Sequence, residues 1–223
     1  MAKQKISWKL HFIELIVVII GISIAFTLEG WSDSKKERRL EKNYLNSIKS
    51  DLEKDKADLK VIYDSTSTVL RYVGEVFYFV GSQAPVESYK FHHATSGYLA
   101  THFYPKNGTY TSMVNSGDLN LIQDFELRAE LSGLYNVAYK EIERADKVIQ
   151  NLSDNHIQPY IISNVQFTRD KTRDGILDDA PLKTNKAFNL LGSYYNLLSG
   201  RQSAYQNMIN KCDSLIAKIN NIN

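Results

Sequence analysis

The chain has 223 residues and a formal net charge of +2, with 14 Tyr, 11 Gly, 4 Pro and one Cys. So small a charge excludes the strong basic field of a nucleic-acid binder, and no basic run interleaves with the tyrosines. One cysteine excludes an intrachain disulfide, and scarce Gly and Pro argue for long helices over a turn-rich sandwich or barrel.

Residues 1–9 form a short tail carrying Lys3, Lys5 and Lys9. Residues 10–28 then read LHFIELIVVIIGISIAFTL. As a helix this run spans roughly 28 Å, about the thickness of a bilayer's hydrocarbon core. Trp8 and Trp31 bracket it as interfacial anchors. The run is longer than the apolar part of a signal peptide, and no small-x-small cleavage site follows it. Residues 10–31 are therefore expected to be an uncleaved transmembrane helix in a lipid bilayer.

Glu14 is the one acidic residue inside that run. A carboxylate facing lipid costs several kcal/mol when ionised, so Glu14 is expected to face protein, water or headgroups. Glu14, Val18, Gly21, Ala25 and Leu28 step by four and three and so share one helical stripe. Gly21 and Ala25 make a small-xxx-small pair, which lets two helices approach closely. The stripe reads as a helix–helix seam, between copies of this chain or against another membrane protein. The competing reading has Glu14 reaching the headgroups or pairing with His11. Three Lys precede the span, and Lys35, Lys36, Arg38, Arg39 and Lys42 follow it. That count favours a cytoplasmic domain, but long following domains translocate largely regardless of charge.

Residues 32–223 are expected to form a helical-bundle domain. Leu45, Leu52, Leu59, Val73 and Val80 lie on one seven-residue line, with Thr66 in the gap. Ile48, Ile62, Val69 and Val76 lie on a second, broken by Asp55. Together they make a coiled-coil-like seam over about five heptads. Ser32 or Asp33 caps this helix, or else it runs on unbroken from the membrane. Pro85 ends it, and residues 86–103 are aromatic-rich and ambiguous.

A turn at Tyr104–Gly108 leads to a short helix, Thr109–Ser116, stopped by Gly117. Asp118 or Asp124 caps the next element. From Phe125 the stripe Leu127, Leu131, Leu134, Ala138, Ile142, Ala145, Ile149 and Leu152 marks a second long helix, with a kink expected at Pro159. Residues 164–183 read as an irregular loop. A third long helix, capped by Thr184 or Asn185, carries Leu191, Tyr194, Leu198, Tyr205, Ile209, Cys212, Ile216 and Ile219. The fold class is all-α: a transmembrane helix followed by an antiparallel bundle whose long first helix is heptad-patterned.

Chemistry-bearing motifs are missing. No G-x-S-x-G, P-loop or G-x-G-x-x-G occurs. Residues 170–175 resemble the start of a calcium loop, but the twelfth position is Pro181 where a bidentate Glu belongs. His92, His93 and His102 lack metal-ligand spacing on one helical face. Cys212 lies on a core stripe. No catalytic, metal or cofactor site is expected, and the chain does not read as an enzyme.

Several stretches also carry a resemblance. Residues 14–25, ELIVVIIGISIA, followed by Gly30-Trp31-Ser32-Asp33, resemble the membrane segment of a family of small uncharacterised Bacteroidota proteins with a domain of unknown function. Tyr44-Leu45, residues 51–55 (DLEKD), residues 109–122 (TYTSMVNSGDLNLI) and residues 131–135 (LSGLY) are similar too. The chain departs from the pattern at Ile13, where the family has Gly, and at Leu28-Glu29, where an amide pair is common. The resemblance implies a single-pass inner-membrane protein with its domain outside the cytoplasm. It also implies that Glu14, Gly21 and Trp31 act as a unit.

Residues and resemblance together lead to a membrane-anchored scaffold that self-associates through its transmembrane seam, within an envelope assembly. Two alternatives stand beside it. One is a ligand-sensing bundle, on the aromatic stretch from Tyr89 to Tyr110. The other is an oligomeric ion or proton conductor that uses Glu14.

Overall fold

The computed structural model describes residues 8–82, 90, 92, 94, 102–166 and 178–222; of residues 9–11 it describes the backbone alone. No strand occurs among them. The first helix, α1, runs unbroken over Trp8–Val80, 73 residues or roughly 110 Å. Neither Ser32 nor Asp33 starts a new helix, so the junction between apolar run and bundle lies inside α1. No Pro or left-handed Gly interrupts residues 8–80, and no turn signal stops the chain there.

Both heptad lines of α1 are buried. Leu45, Ile48, Leu52, Leu59, Val73 and Val76 are fully shielded, and Ile62, Thr66 and Val69 nearly so. Asp55 is buried among them. Each fully buried aliphatic side chain contributes about 1.5–3 kcal/mol.

The cover comes mainly from the last helix, α6 (Asn185–Ile222), which runs antiparallel to α1. Lys56 pairs with Asp213, Gln202 donates to Ser67 Oγ at 2.6 Å, and the Tyr195 ring lies 3.4 Å from the Cβ position of Gly74. Moving along α1 from Lys56 to Ser67 to Gly74 moves back along α6 by the same steps. A constant register of this kind is what matched heptads produce. Near the far end, Phe77 fits against Gly192 and stacks on Phe188 with ring centroids 4.3 Å apart.

The remaining helices fill the groove between these two. Helix α2 (Gly108–Ser116) ends at Gly117, whose φ of +81° is the left-handed conformation expected of a C′ glycine. A 3₁₀ turn covers Asp118–Leu121. Of the two candidate caps it is Asp124 that works, accepting the Leu127 N–H at 3.0 Å to start α3 (Phe125–Gly133). A π-helical turn, Leu134–Ala138, joins α3 to α4 (Tyr139–Leu152). A second, Ser153–Ile157, joins α4 to α5 (Gln158–Asn164).

The second π turn absorbs Pro159. Proline has no N–H to give to the carbonyl four residues back, and the widened turn shifts the bonding so that Gln158 N–H reaches Ser153. The chain therefore continues helically past Pro159. Thr184 Oγ1 then accepts the Ala187 N–H at 3.2 Å and caps α6. Within the irregular stretch, a 3₁₀ turn forms at Ala180–Lys183. The calcium-like run at 170–175, His93 and Pro85 lie outside the described residues.

An ion pair ties α4 to α6 in the core. Arg201 Nε lies 3.0 Å from Asp146 Oδ1, and both side chains are buried. Tyr205 donates to the other Asp146 oxygen at 2.7 Å, and Arg201 donates to the Tyr205 hydroxyl at 3.2 Å. Removing one partner strands a buried charge. Arg201→Met is expected to lower the unfolding free energy by about 3–5 kcal/mol. The double change Arg201→Met with Asp146→Leu is expected to recover most of that loss in a denaturant titration.

Candidate functional site

Two regions remain once the core is accounted for: the exposed half of α1, and a web of polar side chains in the half of the bundle nearer that exposed stretch. The exposed half comes first. The apolar window of α1 is long and apolar enough to cross a membrane, and none of it is buried in the chain. Side chains from Phe12 to Leu40 are exposed throughout.

The stripe lies on this bare stretch. Glu14, Val18, Gly21, Ala25 and Leu28 all face outward, within an arc of about 80°. A Cβ built on Gly21 meets nothing within 4 Å. Trp8 and Trp31 are exposed at either end, and Lys35 Nζ sits 3.9 Å over the Trp31 ring. The two hydroxyls of the run are satisfied by the helix itself: Ser23 donates to the Ile19 carbonyl at 2.8 Å, and Thr27 to the Ser23 carbonyl at 2.7 Å. Glu14 is the one carboxylate in the run.

In a seven-residue frame the stripe and the buried lines of the bundle share no position. Glu14, Gly21 and Leu28 fall on one line and Val18 and Ala25 on another. Leu45-Leu52-Leu59 and Ile48-Asp55-Ile62 occupy two different ones. The face of α1 that α6 covers is therefore not the face that carries the stripe.

The second region centres on Asp55. Its carboxylate accepts the Lys106 N–H at 2.8 Å on Oδ1 and the Tyr139 hydroxyl at 2.7 Å on Oδ2. Burial raises its pKa above the ordinary value, and these two donors partly offset the rise. Lys106 Nζ binds Asp58 at 2.6 Å, and Thr109 donates to Asp51. Three acids on α1 thus hold the turn that starts α2. Nearby, Tyr44 donates to Asp118 at 2.7 Å, Tyr110 stacks on Tyr135 at 4.4 Å, and Asn136 donates to the Tyr110 hydroxyl at 2.9 Å.

Every stretch that resembles the family pattern beyond the membrane segment enters this web. They come from separate parts of the chain, and the fold brings them together. Cys212 is buried 3.9 Å from Tyr139, and burial pushes its thiol up to about 11, so it is a poor nucleophile at neutral pH. Burial likewise raises the Tyr139 and Tyr135 hydroxyls. Among the described residues no group of three or more His, Cys, Asp or Glu gathers as a metal site. His92 is exposed, and His102 lies 3.1 Å from Gln150 Oε1.

A cleft of about 480 Å³ opens beside the web, between residues 102–107 and α4. His102, Tyr104, Tyr139, Glu143, Lys147 and Gln150 line it. Here the end of the aromatic stretch, residues 102–107, meets a cavity.

The web also missed being read in full from sequence. Asp146 falls at core spacing between Ile142 and Ile149, and Arg201 between Leu198 and Tyr205. A charge in phase with an apolar stripe was the available signal.

Because the folded-state pKa of Asp55 is raised, its contribution to stability is full below the unfolded value near 3.8 and is lost as pH rises through the folded pKa. Asp55→Asn, which keeps the shape and removes the titration, is expected to gain stability relative to the wild type as pH rises from 3.8 toward neutrality. Paired thermal melts across that range read the difference. A wild type that gains on the variant with rising pH contradicts the assignment.

Residues 14–159 match the model of a family of unknown function, DUF6090. No curated protein and no solved structure matches the chain. The matched span begins at Glu14 and takes in the stripe, the rest of α1 and the whole web around Asp55. It covers more than half of the chain, which therefore belongs to this family of unknown function, DUF6090.

Proposed function

We propose that this protein is a membrane-anchored helical scaffold that self-associates through the stripe Glu14, Val18, Gly21, Ala25 and Leu28. The apolar half of α1 crosses the bilayer once, and α1 carries the bundle directly on its continuation. The observation that carries the reading is the bareness of that half: 0% of its apolar window is buried, while it holds a carboxylate in line with two small residues. Lipid covers the apolar side chains without cost, and a carboxylate at this depth is stabilised by each polar group it faces. A second copy presenting the same stripe supplies one, and Gly21 and Ala25 let the two backbones approach.

The bundle supports the same arrangement. The heptad seam of α1 is filled by α6 of the same chain, so self-association falls to the exposed half. The stripe occupies heptad positions that the bundle leaves uncovered, so paired anchors do not bring the bundles into collision. We place the anchor in an inner, cytoplasmic membrane with the bundle on the periplasmic side, within an envelope assembly. The family resemblance is what supports that side.

The test is the mass of the full-length protein in lipid nanodiscs. A single defined oligomer is expected. Gly21→Leu and Glu14→Leu are each expected to weaken association by about 1–2 kcal/mol, roughly 5- to 30-fold on dilution. A monomeric wild type, or variants that keep the wild-type mass at every dilution, contradict the reading.

A further inference from the structure

We infer that the stretch joining the two halves of α1 is a binding site for anionic phospholipid headgroups; the inference rests on the membrane reading of the apolar half. Because α1 is unbroken, charges between Trp31 and Leu45 have fixed angular positions. Glu29, Asp33, Glu37 and Glu41 step by four and form one acidic stripe. Lys35, Arg38, Arg39 and Lys42 step by three and four and form a basic stripe. At about 100° per residue the two stripes are centred roughly 170° apart. Lys36 is the exception, lying on the acidic side and pairing with Asp33 at 3.0 Å, while the charges of the two stripes are sorted by sign around the helix.

The bundle end of the acidic stripe meets the protein at Glu41, while Glu29, Asp33 and Glu37 are exposed. Glu41 accepts the Gln123 N–H at 2.8 Å, and Asp124 beside it is occupied in capping α3. Arg38 and Lys42 border this contact but stay exposed, as do Lys35 and Arg39. Arg38 forms no ion pair among the described residues, and Arg38 and Lys42 line a recess of about 350 Å³ with Glu41, Gln123, Asp124 and Ile222.

Direction and height both suit a headgroup. Side chains on a helix lean toward its N-terminus, which for α1 is the membrane side. Arg38 lies roughly 10 Å along the axis beyond Trp31, within reach of the phosphate layer for a side chain leaning back toward it. The same end of the bundle exposes Leu40, Phe125 and Ile222, with the Arg128 guanidinium 5.5 Å from the Phe125 ring. Apolar side chains beside cations fit a lipid surface, with the rings and aliphatic groups at the boundary and the guanidinium groups on phosphate.

Full-length protein is first floated with phosphatidylcholine vesicles. It is then extracted from vesicles of equal phosphatidylglycerol and phosphatidylcholine, and retained lipid is counted by native mass spectrometry. Phosphatidylglycerol is expected to be retained in preference. Arg38→Gln with Lys42→Gln is expected to weaken that retention about fivefold for each charge removed. Lys54→Gln with Lys60→Gln, an equal loss of two charges at exposed α1 sites farther from the membrane, is expected to leave it unchanged. Flotation without preference for phosphatidylglycerol, or equal loss in all variants, overturns the lipid site alone. Failure to float overturns both this inference and the membrane reading.

Discussion

One helix does two jobs in this protein, and the rest of the structure follows from its being continuous. Residues 8–80 form a single rod in which the first part is bare and apolar and the last part is half of a packed core. No hinge, proline or left-handed glycine separates the two. Whatever rotation or tilt the bare half adopts, the seam that α6 covers turns with it. A continuous rod of this kind holds the packed bundle at a set angle to the bare half, where a flexible tether would leave the angle free.

The bundle is built so that this rod stays straight. The antiparallel partner α6 keeps a constant register with it over most of its packed length. In the half nearer the bare stretch, the web around Asp51, Asp55 and Asp58 docks the α2 turn. A buried carboxylate is costly by burial and is kept because two donors meet it. The web fastens the short middle helices to α1.

Much of this was legible in the residues. The two heptad lines, the Gly117 stop, the Asp124 and Thr184 caps and the buried Cys212 are all local signals, set by periodicity or by a single backbone requirement. The sorting of what covers what was not. Periodicity reveals that a face of α1 is covered, but α6 and a second copy leave the same trace in the sequence. The pairing of Asp146 with Arg201, and of Asp55 with Tyr139, joins residues far apart in the chain, and nothing local announces a partner. The π turns were hidden too, except at Pro159, where the missing N–H required some departure from regular bonding.

The central claim is that the Glu14 stripe faces a second copy. Cys212 is fully buried, so spin labels attach selectively at introduced cysteines. Leu28 lies on the stripe, and Thr27 lies at nearly the same height about 140° from its centre. Labels placed at each site in turn, with the protein in nanodiscs, report the distance between copies by pulsed electron paramagnetic resonance. A distinctly shorter distance for Leu28→Cys than for Thr27→Cys is the expected result. Equal distances at the two sites, a shorter one for Thr27→Cys, or no coupling at either would contradict it.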